Sequence, residues 1–386
     1  MMNILIDLVT PQAFLGGAGE YIRRVFYELL KRKDFNIQIY AAIDSTIGKF
    51  AYSDLSPDSL REKGIPIVDL GKIKLFDAVR KYNIEKVFIG AAQYWGARYD
   101  VEKLTCKVIC VVHDLQDEEC GFNKIHLFNR LRISSRFSFI KYLIRDEPKM
   151  NWMKRMNSII KLYNENKNVV FITVSEYTKS SLEYYYGIKD RIYVLYSPER
   201  ICEQEVDIEN PLLKKITEEK LDYFLLLSAN RPLKNAQRAL EAFEKYYKCN
   251  DSPKCLLTVG LEKPLFAGHF ALPYLSASDL KIAYEKSYAL IFPSMFEGFG
   301  YPPIEAMQYG KPILASNVTS MPEVCKDAAI YFSPFYVSDI FRALNILTDD
   351  NYQEYSEKSY IRYKEMSYKQ NHDLEKLLHL ILTVNV

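Results

Sequence analysis

The stretch ALIFPSMFEGFGYPPIEAMQYGKPILASNVTSMPEV, residues 289–324, decides the fold. It opens with the apolar run 289–292, closed by Pro-Ser, and such a run is typical of a buried parallel strand. A loop with two glycines follows, then two prolines that fit the first turn of a helix predicted to end at Gly310. A second short strand is predicted over 313–315. In such strand–loop–helix–strand units, ligands bind at the carboxyl ends of the strands.

The loop between the first strand and the helix carries the candidate chemistry. Gly298 and Gly300 allow backbone N–H groups to approach a ligand closely. The helix start that follows favours an anion, typically phosphate, because its N–H groups are unpaired and its dipole is positive there. Glu297 and Glu305 flank this point, and a carboxylate can accept hydrogen bonds from two neighbouring sugar hydroxyls. Phosphate together with a polyol predicts a nucleotide sugar as the ligand.

The pair Glu297-x7-Glu305, set in PSMFEGFGYPPIEAMQYGKPILAS and followed by MPEV at 321–324, resembles the donor-site signature of the retaining glycosyltransferases of family 4. The resemblance implies the α/β GT-B fold, in which two Rossmann-like domains face each other across a cleft and a C-terminal helix crosses back to the first domain. It also implies that backbone N–H groups from Gly298 through Phe299 to Gly300 hold the sugar or the phosphates. The alternative interpretation of Glu297 and Glu305 is that they are two surface glutamates beside a helix N-terminus.

Length and composition agree with two ordinary globular domains. The chain has 386 residues, 48% of them hydrophobic, and a net charge of +2 that makes no case for nucleic acid. The seven cysteines form no CxxC pair, and no signal peptide or spanning apolar run is visible, so we expect a cytoplasmic protein. No Asp-x-Asp pair occurs, so the metal-clamping device of the other large glycosyltransferase fold is missing. We therefore expect no metal and no cofactor beyond the donor itself.

Strand-like runs alternate with helical spacing along the first half, which predicts a parallel sheet covered on both faces. We predict an acceptor-side Rossmann-like domain over 1–197 and a polar, acidic linker over 198–222. A nucleotide-sugar-binding Rossmann-like domain is predicted over 223–360. The tail 361–386 is predicted to be the helix that returns to the first domain.

Two features of the first domain are candidate ligand contacts. The glycine-rich loop that contains Gly16 and Gly17 lies between a predicted strand and a helix, where a phosphate or sugar can approach the backbone. It lacks the third glycine of the dinucleotide fingerprint, and a tight turn without a ligand is the alternative. His113 follows the predicted strand 108–112, and in the resembled family such a histidine contacts the donor sugar. A structural pair of His113 with Asp114 is the alternative.

A basic pair follows the first predicted strand of the second domain. Arg231 and Lys234 are spaced to grip a diphosphate, the arginine as a fork and the lysine as a point charge. In the resembled family the arginine lies further upstream of the lysine. Lys234 therefore matches the family's pattern better than Arg231 does. Surface charge at a helix start is the alternative interpretation.

The segment 124–167 is basic, aromatic and helix-forming, with eleven Lys or Arg residues against three acidic ones. Such a segment can lie on an anionic membrane surface, which would place the protein peripherally on the inner face of the membrane. It can also hold an anionic acceptor, or form a solvated face. No RNA- or DNA-binding motif accompanies the charges.

The resemblance implies retaining transfer of a sugar from a nucleotide diphosphate sugar to a saccharide or lipid-linked acceptor, in bacterial surface polysaccharide or glycolipid assembly. Lys234 and Arg231 would neutralise the leaving diphosphate, Glu297 would orient the sugar, and Glu305 would bind the ribose. His113 would contact the sugar. Two alternatives remain, a non-catalytic nucleotide-sugar-binding subunit and an epimerase of the same fold.

Overall fold

The computed structural model describes residues 1–13, 15–92, 99–120, 160–161, 163–200 and 208–383. The chain divides into two compact units. The first comprises Met1–Glu119, Ile140–Ile201 and Lys369–Val386, and the second comprises Cys120–Phe139 and Cys202–Tyr368. Most of the basic segment 124–167 lies outside the described residues, and so does 201–207 of the expected linker.

The first unit is built on a parallel sheet with the strand order β3-β2-β1-β4-β5-β6-β7 in the described part of the chain. These strands are β1 Met2–Asp7, β2 Ile37–Ile43, β3 Ile67–Asp69, β4 Lys86–Ile89, β5 Lys107–Val112, β6 Val169–Thr173 and β7 Ile192–Val194. Strands β4 and β6 are buried along their whole length, as expected inside a parallel sheet covered on both faces. The strand order reverses between β1 and β4, which makes their carboxyl ends the switch point of this sheet.

The second unit has its own parallel sheet, with the order β10-β9-β8-β11-β12-β13. Its strands are β8 Tyr223–Leu226, β9 Cys255–Val259, β10 His269–Leu272, β11 Ala289–Phe292, β12 Ile313–Ser316 and β13 Ala329–Phe332. The predicted buried strand at 289–292 is confirmed as β11, which pairs in parallel with β8 and β12. Here the order reverses between β8 and β11, so the ends of these two strands mark the expected ligand site.

Helices alternate with the strands in both units. Those of the described residues are α1 Val9–Ala13, α2 Gly17–Leu30, α3 Pro57–Glu62, α4 Leu75–Lys81, α5 Gln116–Cys120, α6 Glu176–Tyr186, α7 Pro211–Glu218, α8 Ala236–Cys249, α9 Ala277–Lys286, α10 Tyr301–Gln308, α11 Met321–Cys325, α12 Val337–Ile346 and α13 Asp349–Leu382. Among the residues described, no helix is long and apolar enough to cross a membrane.

Helix α10 shows why this sequence forms a helix at this point. Its first turn contains two prolines, whose fixed φ suits a helix start and whose missing N–H groups would be unpaired there in any case. The residue before it, Gly300, has φ 101°, a conformation that glycine adopts without strain. The helix is followed by Gly310 in the left-handed region, as the sequence predicted.

The C-terminal helix α13 belongs to both units. Its 34 residues contain no glycine or proline, so nothing interrupts it between residues 349 and 382. In the second unit, the Arg362 guanidinium donates to the carbonyl oxygens of Val324 and Glu323 at 2.8 and 3.0 Å. The helix predicted over 361–386 is therefore, as far as Leu382, the latter part of a longer one.

The end of α13 is fastened to the first unit by buried polar groups. The buried Asp373 carboxylate accepts the backbone N–H of Tyr196 at 3.0 Å. The Gln370 amide donates to the Ser197 carbonyl at 2.6 Å. The buried ammonium of Lys86 donates to the Leu380 carbonyl at 3.2 Å, where the helix leaves its last carbonyl groups without partners.

Some local predictions were wrong. The glycine-rich loop that contains Gly16 and Gly17 was expected between the first strand and a helix, yet α2 already begins at Gly17, and the short helix α1 precedes it. The interval 198–222 was expected to be a linker, yet 211–218 form helix α7, which buries Leu213 and Ile216. Its asparagine cap and N-terminal proline are ordinary helix-start signals that the acidic composition obscured.

Candidate donor site and its comparison with known proteins

The structure brings Lys234 and Glu297 together at the switch point of the second sheet. Lys234 follows β8 in a short 3-10 turn, and Glu297 lies in the loop after β11. The lysine ammonium and the glutamate Oε1 form an ion pair. Their side chains are 16% and 13% exposed, so solvent screens this pair less than one at the surface. The Lys234 ammonium also lies 4.9 Å from the centre of the Phe292 ring.

A buried hydroxyl fixes the glutamate from the other side. The Ser294 hydroxyl donates to Oε1 of Glu297 at 2.5 Å, and Ser294 is 1% exposed. The same carboxylate oxygen thus receives both the ammonium and the hydroxyl. Since a carboxylate has two oxygens with about four lone-pair positions, this arrangement orients the group and still leaves it acceptor capacity for a ligand.

The backbone of the glycine loop is held by the turn that follows β12. The Glu297 N–H donates to the Thr319 hydroxyl at 3.2 Å. The Ser320 hydroxyl lies 3.1 Å from the carbonyl oxygens of both Glu297 and Phe299. Thr319 has φ 56°, which is uncommon for a β-branched residue and marks a place where the surrounding structure enforces the backbone. Gly298, Phe299 and Gly300 are buried in this arrangement.

Asn235 ties three strand-end loops together, and we call its contacts the Asn235 clasp. The side-chain amide donates to the carbonyl oxygens of Pro293 at 3.1 Å and Pro334 at 2.7 Å. Its Oδ1 accepts from the Arg238 guanidinium at 2.9 Å. The residue is 2% exposed and has φ 55°, which asparagine tolerates better than most residues. The clasp therefore fixes the backbone immediately after Lys234.

The second glutamate of the motif is positioned by a tyrosine. Glu305 lies on α10, and its Oε2 accepts the hydroxyl of Tyr284 at 2.6 Å. Tyr284 is 3% exposed and lies on α9. A hydrogen bond of this length to a carboxylate is a strong one, so Tyr284 holds Oε2 of Glu305 in place.

Arg231 lies apart from the ion pair. It is exposed at the turn before Lys234, and the structure gives it no ion pair among the described residues. The two basic residues predicted to act together are therefore not equivalent, because only Lys234 is paired with Glu297.

In the first unit, His113 and the glycine loop lie at the same edge of the sheet. His113 follows β5, and its Nε2–H donates to the Gly90 carbonyl at 2.8 Å, just beyond β4. Burial lowers the pKa of His113 to about 4, so the ring is neutral at pH 7. Its ring packs edge-on against Tyr21 of α2 at 5.0 Å, which connects it with the helix that Gly16 and Gly17 begin.

Asp7 is a buried carboxyl at this edge of the first unit that sequence reasoning missed. It ends β1, is 1% exposed, and accepts the N–H of Val9 at 2.9 Å. Burial raises the pKa of Asp7 to about 6. A lone aspartate at the end of an apolar strand gives only a weak signal in the sequence.

The second unit matches a known family. Residues 210–369 match the family described as glycosyl transferases group 1. The chain carries a group 1 glycosyltransferase domain. This domain includes Lys234, Asn235, Glu297 and Glu305, so the geometry described above belongs to it. The family match accounts for the likeness seen in the motif around Glu297.

Two curated relatives of the chain are named as mannosyltransferases. The chain is 32% identical over 177 residues to the O-antigen chain mannosyltransferase RfbU of Salmonella typhimurium, which is 42% of this chain and 46% of that protein. It is 25% identical over 338 residues to the serotype-specific mannosyltransferase WbdA of Escherichia coli, covering 78% of this chain and 37% of WbdA. The chain thus spans less than half the length of these curated relatives.

A solved structure extends the likeness to both units. The crystal structure of HepE from Anabaena in complex with UDP and glucose matches with a TM-score of 0.64 and 14% identity, covering 99% of each chain. At this identity the match concerns the fold alone. The α/β GT-B fold predicted from the sequence is confirmed.

Proposed function

We propose that this protein is a retaining glycosyltransferase that transfers mannose from a nucleotide diphosphate sugar to an acceptor hydroxyl. The observation that carries the proposal is the pair of Lys234 and Glu297 at the switch point of the second sheet, inside the family match. The names of RfbU and WbdA support mannose as the sugar and O-antigen-like surface polysaccharide as the setting. The acceptor would be a saccharide or a lipid-linked saccharide.

The roles follow from what each group can bind. Lys234 would neutralise the diphosphate, with the exposed Arg231 able to reach an outer phosphate oxygen. Glu297 would accept hydrogen bonds from sugar hydroxyls, and Glu305 from the ribose hydroxyls. Backbone N–H groups around Gly298 would hold the sugar or the phosphates. Each of these groups stabilises charge or orientation, and none needs to form a covalent intermediate.

Retention would follow from reaction on one face of the sugar. The bond between the anomeric carbon and the phosphate oxygen breaks, the acceptor oxygen forms the new bond, and the departing phosphate takes the acceptor proton. We propose that this proceeds without a metal, since the lysine and backbone dipoles can neutralise the diphosphate. EDTA should then leave the rate unchanged.

The first unit is proposed to serve the acceptor, and Gly16, Gly17 and His113 stay candidate contacts for the sugar or phosphates of the donor. Peripheral contact with the inner face of a membrane through 124–167 also remains a proposal. It would bring a lipid-linked acceptor to the enzyme.

The proposal is tested by release of nucleoside diphosphate from a panel of guanosine, uridine and thymidine diphosphate sugars, with EDTA present and a saccharide acceptor mixture added. We expect one donor to be turned over, and Lys234→Ala and Glu297→Ala to lose activity while remaining folded. Wild-type turnover in both variants would overturn the assignment of Lys234 and Glu297 to the donor site. Binding of a donor without transfer would favour the binding subunit, and conversion of the sugar without acceptor would favour the epimerase.

A further inference from the structure

The ion pair between Lys234 and Glu297 poses a problem for the proposed reaction. The lysine has to neutralise a diphosphate, and the glutamate has to hold a sugar, yet in this structure each is engaged by the other. A bound diphosphate would draw the ammonium towards itself, which weakens its bond to Oε1. The pair and the diphosphate therefore compete for one cation.

We propose that Glu297 and the leaving diphosphate compete for Lys234, so that re-formation of the ion pair helps to expel the nucleoside diphosphate after transfer. This inference rests on the proposed function. With the complete donor bound, the sugar hydroxyls would replace the ammonium as partners of Glu297. Once the sugar has left, the carboxylate has lost those partners, and Lys234 is its nearest replacement.

Three features of the site favour this competition. The two side chains are mostly shielded from solvent, so an unpaired charge on either would be costly. Ser294 holds Oε1 at 2.5 Å, so the carboxylate cannot turn away when the lysine is withdrawn. The Asn235 clasp fixes the backbone next to Lys234, so the lysine responds by moving its flexible side chain.

The consequence is a difference between donor and product affinity. The intact nucleotide sugar supplies a new partner to both members of the pair, whereas the free nucleoside diphosphate supplies a partner only to Lys234. The product therefore binds at the expense of the ion pair, while the donor does not. Removing the charge of Glu297 should abolish this penalty on the product.

The test is the affinity of the full-length protein for inorganic pyrophosphate and for the nucleoside diphosphate of the accepted donor, measured by calorimetry. Glu297→Gln keeps the shape of the side chain and removes its charge. We expect this variant to bind both ligands about fivefold more tightly or better, a coupling at the low end of the usual range. Its kcat/KM for the donor should fall at the same time, because the sugar is held less well.

Glu305→Gln is the matched control, with pyrophosphate as the decisive probe. Glu305 is bonded to Tyr284 rather than to Lys234, and pyrophosphate has no ribose for it to hold. This variant should bind pyrophosphate as the wild type does. Unchanged or weaker pyrophosphate binding by Glu297→Gln would overturn the inference, and so would an equal gain in both variants. Failure of the wild type to bind any nucleoside diphosphate or sugar nucleotide would instead overturn the proposed function.

Discussion

The Asn235 clasp should be essential to the stability of the second unit, and Asn235→Asp tests it with almost no change of shape. Aspartate tolerates the left-handed backbone conformation at this position, so the substitution adds little backbone strain. It also keeps an oxygen for the Arg238 guanidinium, which lies 2.9 Å away. The change is therefore confined to the amide group that donates to Pro293 and Pro334.

The expected loss follows from these two contacts. Two carbonyl oxygens, at 3.1 and 2.7 Å from the amide nitrogen, would face a carboxylate oxygen instead of a donor. Losing a buried partner costs about 1–3 kcal/mol for each group. We therefore expect the free energy of unfolding of the second unit to fall by about 2–6 kcal/mol at pH 7.5. At about 2–4 °C per kcal/mol for a unit of this size, that corresponds to a melting temperature lower by roughly 4–24 °C.

The assay is thermal unfolding followed by far-ultraviolet circular dichroism at pH 7.5 and 5.5. Burial beside two carbonyl oxygens would raise the pKa of the introduced carboxyl, and its protonated form can donate to one of them. The difference in melting temperature between Asn235→Asp and the wild type should therefore become smaller as the pH falls from 7.5 to 5.5.

Asn345→Asp is the matched control for this substitution. Asn345 lies on α12 of the same unit, is exposed, and donates its amide to the Phe341 carbonyl at 2.8 Å. Because water can replace that partner, the free energy of unfolding of Asn345→Asp should stay within about 0.5 kcal/mol of the wild-type value. An Asn235→Asp variant as stable as this control would refute the view that the clasp holds the three loops together.

Three further predictions concern other parts of the two units. The pKa of Asp7, near 6, lies above its value in the unfolded chain, so ionisation is disfavoured in the native state. The free energy of unfolding of the wild type relative to Asp7→Asn should therefore fall by up to about 3 kcal/mol between pH 4 and 7, as measured by urea unfolding. Gly300→Ala should destabilise the protein by about 1–3 kcal/mol and weaken donor binding, because φ is 101° at this position and the new Cβ would lie 2.3 Å from a Met321 methyl group. Both effects are measured in a thermal-shift assay, and an unchanged melting temperature would contradict the prediction. Tyr284→Phe should weaken nucleoside diphosphate binding about threefold to tenfold and leave pyrophosphate binding unchanged, and an equal loss for both ligands would argue against its action through Glu305.

The parts of the fold that could be predicted are those with strong local patterns. The buried strand 289–292, the prolines of α10 and the left-handed Gly310 each follow from the chemistry of one short segment. No strand was predicted at β3, β10 or β13. These strands are short, and each lies at an edge of its sheet, where burial imposes less of a pattern. Helix α7 was missed because an acidic, polar composition outweighed its cap and proline.

The candidate site was predictable only in its charged residues. Lys234 and Glu297 are far apart in the sequence, but each follows a predicted strand, and strand ends of a parallel sheet meet at one edge. Ser294, Asn235 and Tyr284 were not predicted, since their roles depend on contacts between loops or helices that no single segment reveals. The order of the strands decides which loops meet, and it is a property of the whole chain.

The division of helix α13 between the two units has a consequence for how this protein is made. The first unit needs Gln370 and Asp373 to satisfy Ser197 and Tyr196, yet the segment Cys202–Tyr368 of the second unit lies between these partners along the chain. During synthesis, domains usually fold in order from the N-terminus. Here the first unit would wait with unpaired backbone groups at its last strand until nearly all of the second unit had left the ribosome. Its final packing is therefore among the later events of folding, although most of its sequence is made before most of the second unit.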